Sequence, residues 1–326
     1  MKFARSASRL LATAAAALAG AAAFAQPADY PNKAVRIVVP FAAGGPADNY
    51  ARFMAQRLSA ELKQPFVVDD KPGGGSIIGT DIVAKSAPDG YTLLMMSNTH
   101  TVNETLIPGK PFRLMDDFVG IAPVNYSDLM LVVHPSVPAR TLPELVALAK
   151  AQPGKLNYAS SGPGTPYHMA GELFKHLAGI NVTHVPYKGS SGARTDVVGG
   201  QVQMMFDAVT TMSQMAKEGK VRALATSGAT RNPVTPELPT VAEAGVPRYE
   251  ATIWLGLMAP RGTPPEIINK LNAEVRKIVD QPDVKAAWAR QGAVPMSMTV
   301  AEYDRYLRAD IAKWAPLVKA SGAKVD

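Results

Sequence analysis

The chain has 326 residues, of which 47% are hydrophobic and 19% charged, a globular composition long enough for two domains. It contains no cysteine, which excludes disulfide bonds, a thiol nucleophile and a lipid anchor on cysteine. The formal net charge is +7, but no run of five or more Lys/Arg residues occurs, so nucleic-acid binding is not indicated.

The first 25 residues predict a secretory signal peptide. Lys2, Arg5 and Arg9 precede an uncharged stretch of 15 residues, 10–24, and the sequence Ala23-Phe24-Ala25 is typical of a cleavage site. A stretch of this length is too short to span a bilayer comfortably. Cleavage would remove three positive charges and lower the formal charge from +7 to +4, and we expect an exported protein.

Residues 41–48, which we call the first loop, follow the apolar run 35–39 and precede a helical pattern. Pro46 suits the first position of a helix, and Asp48 places a carboxylate near the positive end of the helix dipole. Because residues 42–45 have small side chains or none, their N–H groups are able to approach a small anion. The first loop is therefore a candidate anion-binding site.

Residues 160–168, which we call the second loop, repeat this arrangement after a predicted strand at 155–159. Thr165 is a predicted N-cap, and Pro166 occupies the position that Pro46 has in the first loop. A glycine-rich loop between a strand and a helix is often only a turn, and that interpretation is the stronger one for a single loop. Two matched loops favour a pair of anion-binding sites.

The remaining pattern alternates strands and helices, and its strands are continuously apolar, which predicts parallel sheets covered on both faces. The other predicted elements are strand 66–68, a helix from about 76, strand 91–96, extended segments 118–126 and 129–134, a helix ending at 150, strand 182–187, a helix from about 190, strand 202–206, a helix from about 210, and strands 221–226 and 253–258. The break at Ser127-Asp128 predicts a passage between two domains. The Pro-rich stretch 232–247 is predicted as a surface loop, and capping boxes at 263–266 and 299–302 predict two terminal helices.

The residues that could perform catalysis are few, and we predict no catalytic residue, metal site or cofactor. A histidine four residues from a carboxylate, as His168 is from Glu172, forms only a pair and not the set of ligands that a metal site needs. No Gly-x-Ser-x-Gly or Walker A sequence occurs, and the run Gly73 to Gly79 departs from the dinucleotide-binding fingerprint.

Ligands of open α/β sheets bind beyond the carboxyl ends of the strands, which directs attention to five loops: 41–48, 97–103, 160–168, 187–192 and 207–211. These loops are rich in Ser, Thr, Asn and Gly and carry few charges, which suits binding by hydrogen bonds. For His100 and His168 we favour a hydrogen-bonding role over proton transfer. Asp207 has two equal interpretations, a ligand contact or a cap of the following helix.

Several segments together resemble the Bug-type solute-binding proteins of tripartite tricarboxylate transporters. They are Tyr30-Pro31, Val35 to Gly45 with Asp48, Lys71-Pro72-Gly73 with Ile78-Gly79, Pro88 to Leu93, Gly162 to Pro166, His184 to Gly189, Gly199 to Val202, and Pro239 to Gly245. The resemblance covers the chain after residue 25. It implies an α/β, two-lobed periplasmic-binding-protein fold of the type II, Venus-flytrap kind, each lobe having a mostly parallel sheet flanked by helices.

With this resemblance we expect residues 26–126 to form the first lobe, to which part of 227–326 returns, and 127–226 to form the second. The lobes would close over the ligand by a hinge near Tyr126 and residues 224–226. The implied function is a periplasmic receptor, a monomer that binds a small carboxylate, delivers it to membrane permease subunits and has no nucleic-acid partner.

The resemblance also assigns binding roles. Main-chain N–H groups of the first and second loops would hold the carboxylate. The candidate binding residues are Phe41, Ala42, Ala43, Gly44, Gly45, Asp48, Ser97, Asn98, Thr99, His100, Ser160, Gly162, Gly164, Thr165, His168, Tyr187 and Asp207.

Two alternatives remain open at this point. One is an exported hydrolase in which Ser160 or Ser161 pairs with His168, and the other is a sensor that signals to a membrane kinase. The ligand itself is not identified, because Arg194 is the one arginine near the candidate loops. Succinate-like and citrate-like acids, acidic amino acids and aromatic acids lying against Phe41, Tyr167 or Trp254 all remain candidates.

Overall fold

A mixed β-sheet forms the centre of the protein, whose computed structural model describes residues 30–321. The predicted signal peptide, 1–25, lies outside the described residues. The strands are β1 (Val35–Val39), β2 (Phe66–Asp70), β3 (Thr92–Ser97), β4 (Phe118–Val133), β5 (Asn157–Ser160), β6 (Thr183–Pro186), β7 (Met204–Ala208), β8 (Arg222–Thr226), β9 (Thr252–Pro260) and β10 (Ala293–Pro295).

Helices connect most of these strands, as the alternating pattern predicted. They are α1 (Pro46–Leu62), α2 (Ile77–Ala84), α3 (Asn98–Leu106), α4 (Leu114–Asp117), α5 (Leu142–Ala151), α6 (Pro166–Ala178), α7 (Ser190–Val198), α8 (Val209–Lys217), α9 (Pro265–Val279), α10 (Pro282–Ala289) and α11 (Val300–Ser321). A single 3-10 turn, Gly74–Ser76, precedes α2. Across residues 30–321 we find no helix of the length and apolarity that a bilayer crossing requires.

The strand order is β2-β1-β3-β9-β4-β7-β5-β6, and β8 and β10 both pair with β4. Strands β1, β2 and β3 are parallel to one another, as are β5, β6 and β7. The two central strands, β4 and β9, are antiparallel to each other and to their outer neighbours, β7 and β3. The parallel sheets that the sequence predicted are therefore joined through an antiparallel centre.

The predicted break at Ser127-Asp128 is wrong, because β4 runs without interruption for 16 residues. Ser127 pairs with Ile253 and Asp128 with Thr252, so the polar dipeptide continues the ladder with β9. Beyond it, residues 129–133 pair with β7 and β8. Backbone pairing is indifferent to side-chain polarity, which explains why two polar residues do not end the strand.

Both faces of the second part of the sheet are buried, which explains the continuously apolar strands. Along β4, Leu129, Leu131 and Val133 belong to one hydrophobic cluster. Met130 and Val132, which point to the opposite face, belong to another cluster. Successive strand residues alternate between faces, so a strand covered on two sides must be apolar throughout.

Three other expectations need correction. The stretch 232–247 is not simply a surface loop, because Val241 and Val246 are buried in the core. Thr263 does not cap α9, because its hydroxyl donates to Pro260 O at 2.8 Å and Pro264 occupies the N-cap position. The short helix α10 was not predicted, whereas the capping box of Thr299 and Glu302 is confirmed at the start of α11.

Residues 33–321 pack as one compact unit, and the lobe boundaries near 126 and 226 stay a prediction. Helix α11 contacts both α3 and α6. A small cluster of Val102, Met169, Trp314 and Val318 forms this junction. The last helix therefore reaches elements that come before and after β4 in the chain.

Candidate functional site

A cavity with an empty volume of about 340 Å³ lies between the first loop, the start of α7 and the middle of β9. No charged side chain lines it. The lining residues are Phe41, Ala42, Gly45, Pro46, Ala47, Ser97, Thr99, Ser161, Pro166, Tyr167, Gly189, Ser190, Ile253 and Leu255.

The first loop leads directly into α1, as predicted. Gly45 is the N-cap, no side chain caps the helix, and Pro46 occupies the first turn. Within the described chain, no hydrogen bond uses the N–H groups of Ala42, Ala43 or Gly45. Unpaired N–H groups at the positive end of a helix favour a negative ligand, so this part of the prediction has a structural basis.

Gly44 is a correction to the predicted set of N–H donors. Its N–H donates to Asp48 Oδ2 at 2.8 Å, and the other carboxylate oxygen, Oδ1, lies 2.6 Å from Arg52 Nε. Asp48 is buried in this arrangement and does not line the cavity. Asp48 thus holds the loop in shape, because a carboxylate two residues into the helix can turn back to accept a loop N–H.

The second loop differs more strongly from the prediction, because its N–H groups are already paired. Gly162 N–H donates to Ser160 Oγ at 3.1 Å and Gly164 N–H to His168 Nδ1 at 3.0 Å. Thr165 N–H donates to Gly162 O at 3.3 Å. Thr165 is confirmed as the N-cap of α6, since its Oγ1 accepts from His168 N–H. These paired groups are not free to bind an anion.

A different helix end, that of α7, meets the first loop at the cavity. Gly189 is its N-cap, and no side chain caps it. A Cβ on Gly189 would lie 2.6 Å from Ala42 Cβ, and one on Gly45 would lie 3.0 Å from Ser190 Oγ. Two uncapped N-termini therefore converge here. Sequence reasoning missed this pair, although the glycine N-cap shared by α1 and α7 is a signal that could have shown it.

The loop at the start of α3 divides into cavity residues and supporting residues. Ser97 and Thr99 line the cavity, and Ser97 caps α3 by accepting from Thr99 N–H at 3.2 Å. Asn98 instead donates to Thr252 O at 2.9 Å. His100 is buried behind Phe41 and pairs with Thr80 Oγ1 at 2.9 Å. Burial lowers the pKa of His100 to about 4, so this ring is neutral near pH 7.

The histidines after β5 and β6 form a stacked pair. The ring centroids of His168 and His184 lie 4.0 Å apart, and His184 Nε2 lies 2.6 Å from Ser160 Oγ. Burial lowers the pKa of His168 to about 4 and that of His184 to about 3. The pairing of Ser160 or Ser161 with His168, on which the hydrolase alternative rested, is absent among the described contacts. Ser160 is fully buried and contacts His184 instead.

Asp207 is fully buried and forms an ion pair with Arg194, whose Nε and Nη2 lie 3.0 and 2.9 Å from Oδ2. Its Oδ1 accepts the N–H of Ala208 at the start of α8. Of the two interpretations of Asp207, the structure favours a cap of the following helix over a ligand contact. Tyr187 donates to Asp196 and lines a neighbouring, larger opening of about 1,330 Å³ between the second loop and residues 73–76.

Strand β9 contributes apolar residues that sequence reasoning did not assign to the site. Ile253 and Leu255 line the cavity, whereas Trp254 points to the opposite face and packs edge-on against Tyr303 and Tyr306. Of the three aromatic residues considered for contact with an aromatic acid, Phe41 and Tyr167 therefore line the cavity and Trp254 does not. Ser161, Gly189 and Ser190 are further lining residues outside the predicted set.

No arrangement of three His, Asp or Glu side chains suited to a metal ion occurs in residues 30–321. What the site offers is main-chain N–H groups, hydroxyl groups and apolar surface. Such groups bind a ligand through hydrogen bonds and through packing against its apolar part.

Comparison with known proteins agrees with this type of site. The profile of the family described as "Tripartite tricarboxylate transporter family receptor" matches residues 50–323. The protein BugT of Bordetella pertussis is 37% identical over 311 residues, covering 95% of each chain. A structure of R. palustris Rpa4515 with adipate is 34% identical, with a TM-score of 0.88 over 91% of this chain and 99% of that one. The structure of the periplasmic binding protein BugD is 32% identical, with a TM-score of 0.86 over 90% of this chain and 99% of that one.

The fold is that of the two-lobed α/β solute-binding proteins, which bind ligands for transport and are not enzymes. The chain belongs to the receptor family of the tripartite tricarboxylate transporters. Its relatives place it among periplasmic binding proteins.

Proposed function

We propose that this receptor binds a small carboxylate in the 340 Å³ cavity and delivers it to the permease subunits of a tripartite transporter. The convergence of two uncapped helix N-termini, α1 and α7, on a cavity without charged side chains carries the proposal. The N–H groups of Ala42, Ala43 and Gly45 would donate to the carboxylate. The Rpa4515 structure with adipate supports this choice of ligand class.

The candidate residues fall into two groups in this proposal. Direct contacts come from Phe41, Ala42, Ala43 and Gly45 of the first loop and from Ser97 and Thr99, to which we add Ser161, Tyr167, Gly189 and Ser190. Supporting roles fall to residues that hold these contacts in place: Asp48, Asn98, His100, Ser160, Gly162, Gly164, Thr165, His168 and Asp207. Tyr187 and Gly44 lie beside the cavity.

The remaining parts of the proposal concern the cellular setting. A cleavable signal peptide at 1–25 would direct the protein to the periplasm, where it would act as a monomer. The lobes would consist of 26–126 with a returning C-terminal part and of 127–226. Ligand binding would hold the two lobes closed and so present the loaded receptor to the permease.

A panel of carboxylates tests the proposal. The purified chain without residues 1–25 is titrated with monocarboxylates, dicarboxylates and citrate, while its melting temperature and any product are followed. A ligand at a hundredfold above its Kd should add about 2.7 kcal/mol to the free energy of unfolding. Stabilisation by neutral sugars or metal ions alone, or conversion of a carboxylate to product, would contradict the proposal.

A further inference from the structure

The charges around the cavity are paired among themselves. The guanidinium of Arg194, which is 11% exposed, is held by Asp207 and lies 3.5 Å from Ser190 Oγ. Asp48 is held by Gly44 N–H and Arg52. Cationic groups are what fix a second carboxylate in a binding site, and none lines this cavity. Lys188, which precedes Gly189, is exposed and lines the neighbouring opening instead. The positive ends of α1 and α7 therefore serve a single negative group.

The rest of the lining is apolar or carries hydroxyl groups. Phe41, Pro166, Ile253 and Leu255 supply the apolar surface, and Ile253 and Leu255 are 6% and 2% exposed. Burying a carboxylate against such side chains without a partner is strongly unfavourable. An aliphatic or aromatic group gains free energy there by leaving water.

The Tyr167 hydroxyl gives an independent indication of a ligand. It is buried and lines the cavity, and the Asp207 and Ser190 side chains lie near it without good hydrogen-bonding geometry. Burial and the nearby Asp207 raise its pKa well above the usual value, so the group is a neutral donor. A buried donor without a partner is costly, which favours a ligand oxygen at this place.

We infer that this receptor takes a monocarboxylate with an apolar body, such as a medium-chain fatty acid or an aromatic acid, in preference to a dicarboxylate. The inference rests on the proposed function and narrows its ligand class. One carboxylate would lie at the helix ends, and the body would lie against Phe41, Ile253 and Leu255.

Three ligands of equal chain length test the inference by calorimetric titration near neutral pH. Hexanoate has one carboxylate, adipate has two, and hexanamide has none. We expect hexanoate to bind at least tenfold more tightly than adipate and at least tenfold more tightly than hexanamide. Benzoate and terephthalate form a second pair with the same expected order.

A variant with a cation in the apolar wall sharpens the test. Leu255→Lys should reverse the order of hexanoate and adipate, and Leu255→Met is the matched neutral control, with thermal melting used to verify that both fold. Adipate binding to the unmodified receptor as tightly as hexanoate would overturn the inference and leave the carboxylate receptor intact. Failure of every carboxylate to bind would instead overturn both.

Discussion

The hydroxyl of Ser191 donates a hydrogen bond to the carbonyl oxygen of Ala43 at 2.8 Å. Ser191 lies in the first turn of α7, and Ala43 lies in the first loop, 148 residues earlier. A Cβ on Gly44 would lie only 3.3 Å from the same hydroxyl oxygen, so the two backbones are in close contact here. This contact joins the first loop to the start of α7 beside the cavity.

Ser191→Ala should weaken ligand binding, because it removes a hydrogen bond that exists only when α7 and the first loop are together. One hydrogen bond contributes about 1 kcal/mol net, so we expect roughly a fivefold higher Kd by calorimetry. Thr195→Ala is the matched control, since the Thr195 hydroxyl bonds only to Ser191 O within α7. Equal effects of the two variants would contradict the role of the Ser191 contact.

Gly164→Val should nearly abolish binding while leaving most of the fold intact. Gly164 has φ +72°, and a Cβ there would lie 2.4 Å from Asn103 Oδ1 and 2.9 Å from Leu106. The second loop would have to move away from α3, which carries both residues. Gly109→Val is the control, because a Cβ on Gly109 meets nothing within 4 Å. Normal binding by Gly164→Val would show that the second loop does not need its observed position.

His168→Ala should lower stability more than ligand affinity. The His168 ring accepts the N–H of Gly164 and stacks on His184, so its removal leaves a buried donor unpaired. We expect a loss of about 1–3 kcal/mol in the free energy of unfolding, measured in urea, and a smaller change in Kd. A normal stability combined with lost binding would place His168 in direct contact with the ligand.

Acidification should destabilise the protein through its buried histidines. The pKa of His168 is lowered to about 4 and that of His184 to about 3, so the unfolded chain binds more protons between pH 6.5 and 4. The stability that these neutral histidines contribute is fully present above pH 6.5, the usual histidine pKa that applies in the unfolded chain, and is lost as the pH falls below that value. At pH 5, which is about 1.5 units below the unfolded pKa, each histidine should lower the free energy of unfolding by about 2 kcal/mol, since one unit corresponds to about 1.36 kcal/mol.

The measurement is urea unfolding at several pH values for the unmodified chain and for His168→Gln. The variant should show a shallower fall of stability between pH 6.5 and 5. His176→Gln, at an exposed position on the same helix, is the matched control. Parallel curves for the unmodified chain and His168→Gln would refute the assignment.

Asp207→Asn should reduce the free energy of unfolding by about 3–5 kcal/mol, because it leaves the Arg194 guanidinium charged and without its partner in a buried place. Adding Arg194→Met should restore much of the loss, since it removes the unpaired charge. A double-mutant cycle in urea measures this coupling. Strictly additive losses would show that the two side chains do not depend on each other.

The sequence predicted the helix starts well because these depend on local residue types. Pro46 and Pro166 occupy the first helical turns, and Thr165 and Thr299 are caps, as expected from their side chains. The alternation of strand and helix likewise identified the parallel parts of the sheet. These features need no knowledge of distant contacts.

The composition of the site was harder to predict, because it depends on which groups are already paired. Ser160 and His168 turn back onto the second loop and use its N–H groups, and no spacing rule distinguishes such a loop from a free one. The roles of Ile253 and Leu255 depend on which face of β9 meets the cavity. That face is set by register with β3 and β4, which are far away in the chain.

Strand β4 joins the two ends of the sheet as one long, hydrogen-bonded strand. Its 16 residues extend for about 50 Å, and it pairs first with β9 and then with β7 and β8. The two ends of the sheet are thus connected by a continuous paired strand and not by a flexible linker. We therefore expect that rotating one end of the sheet against the other would twist β4, and that the resistance to opening would rise with the angle of rotation.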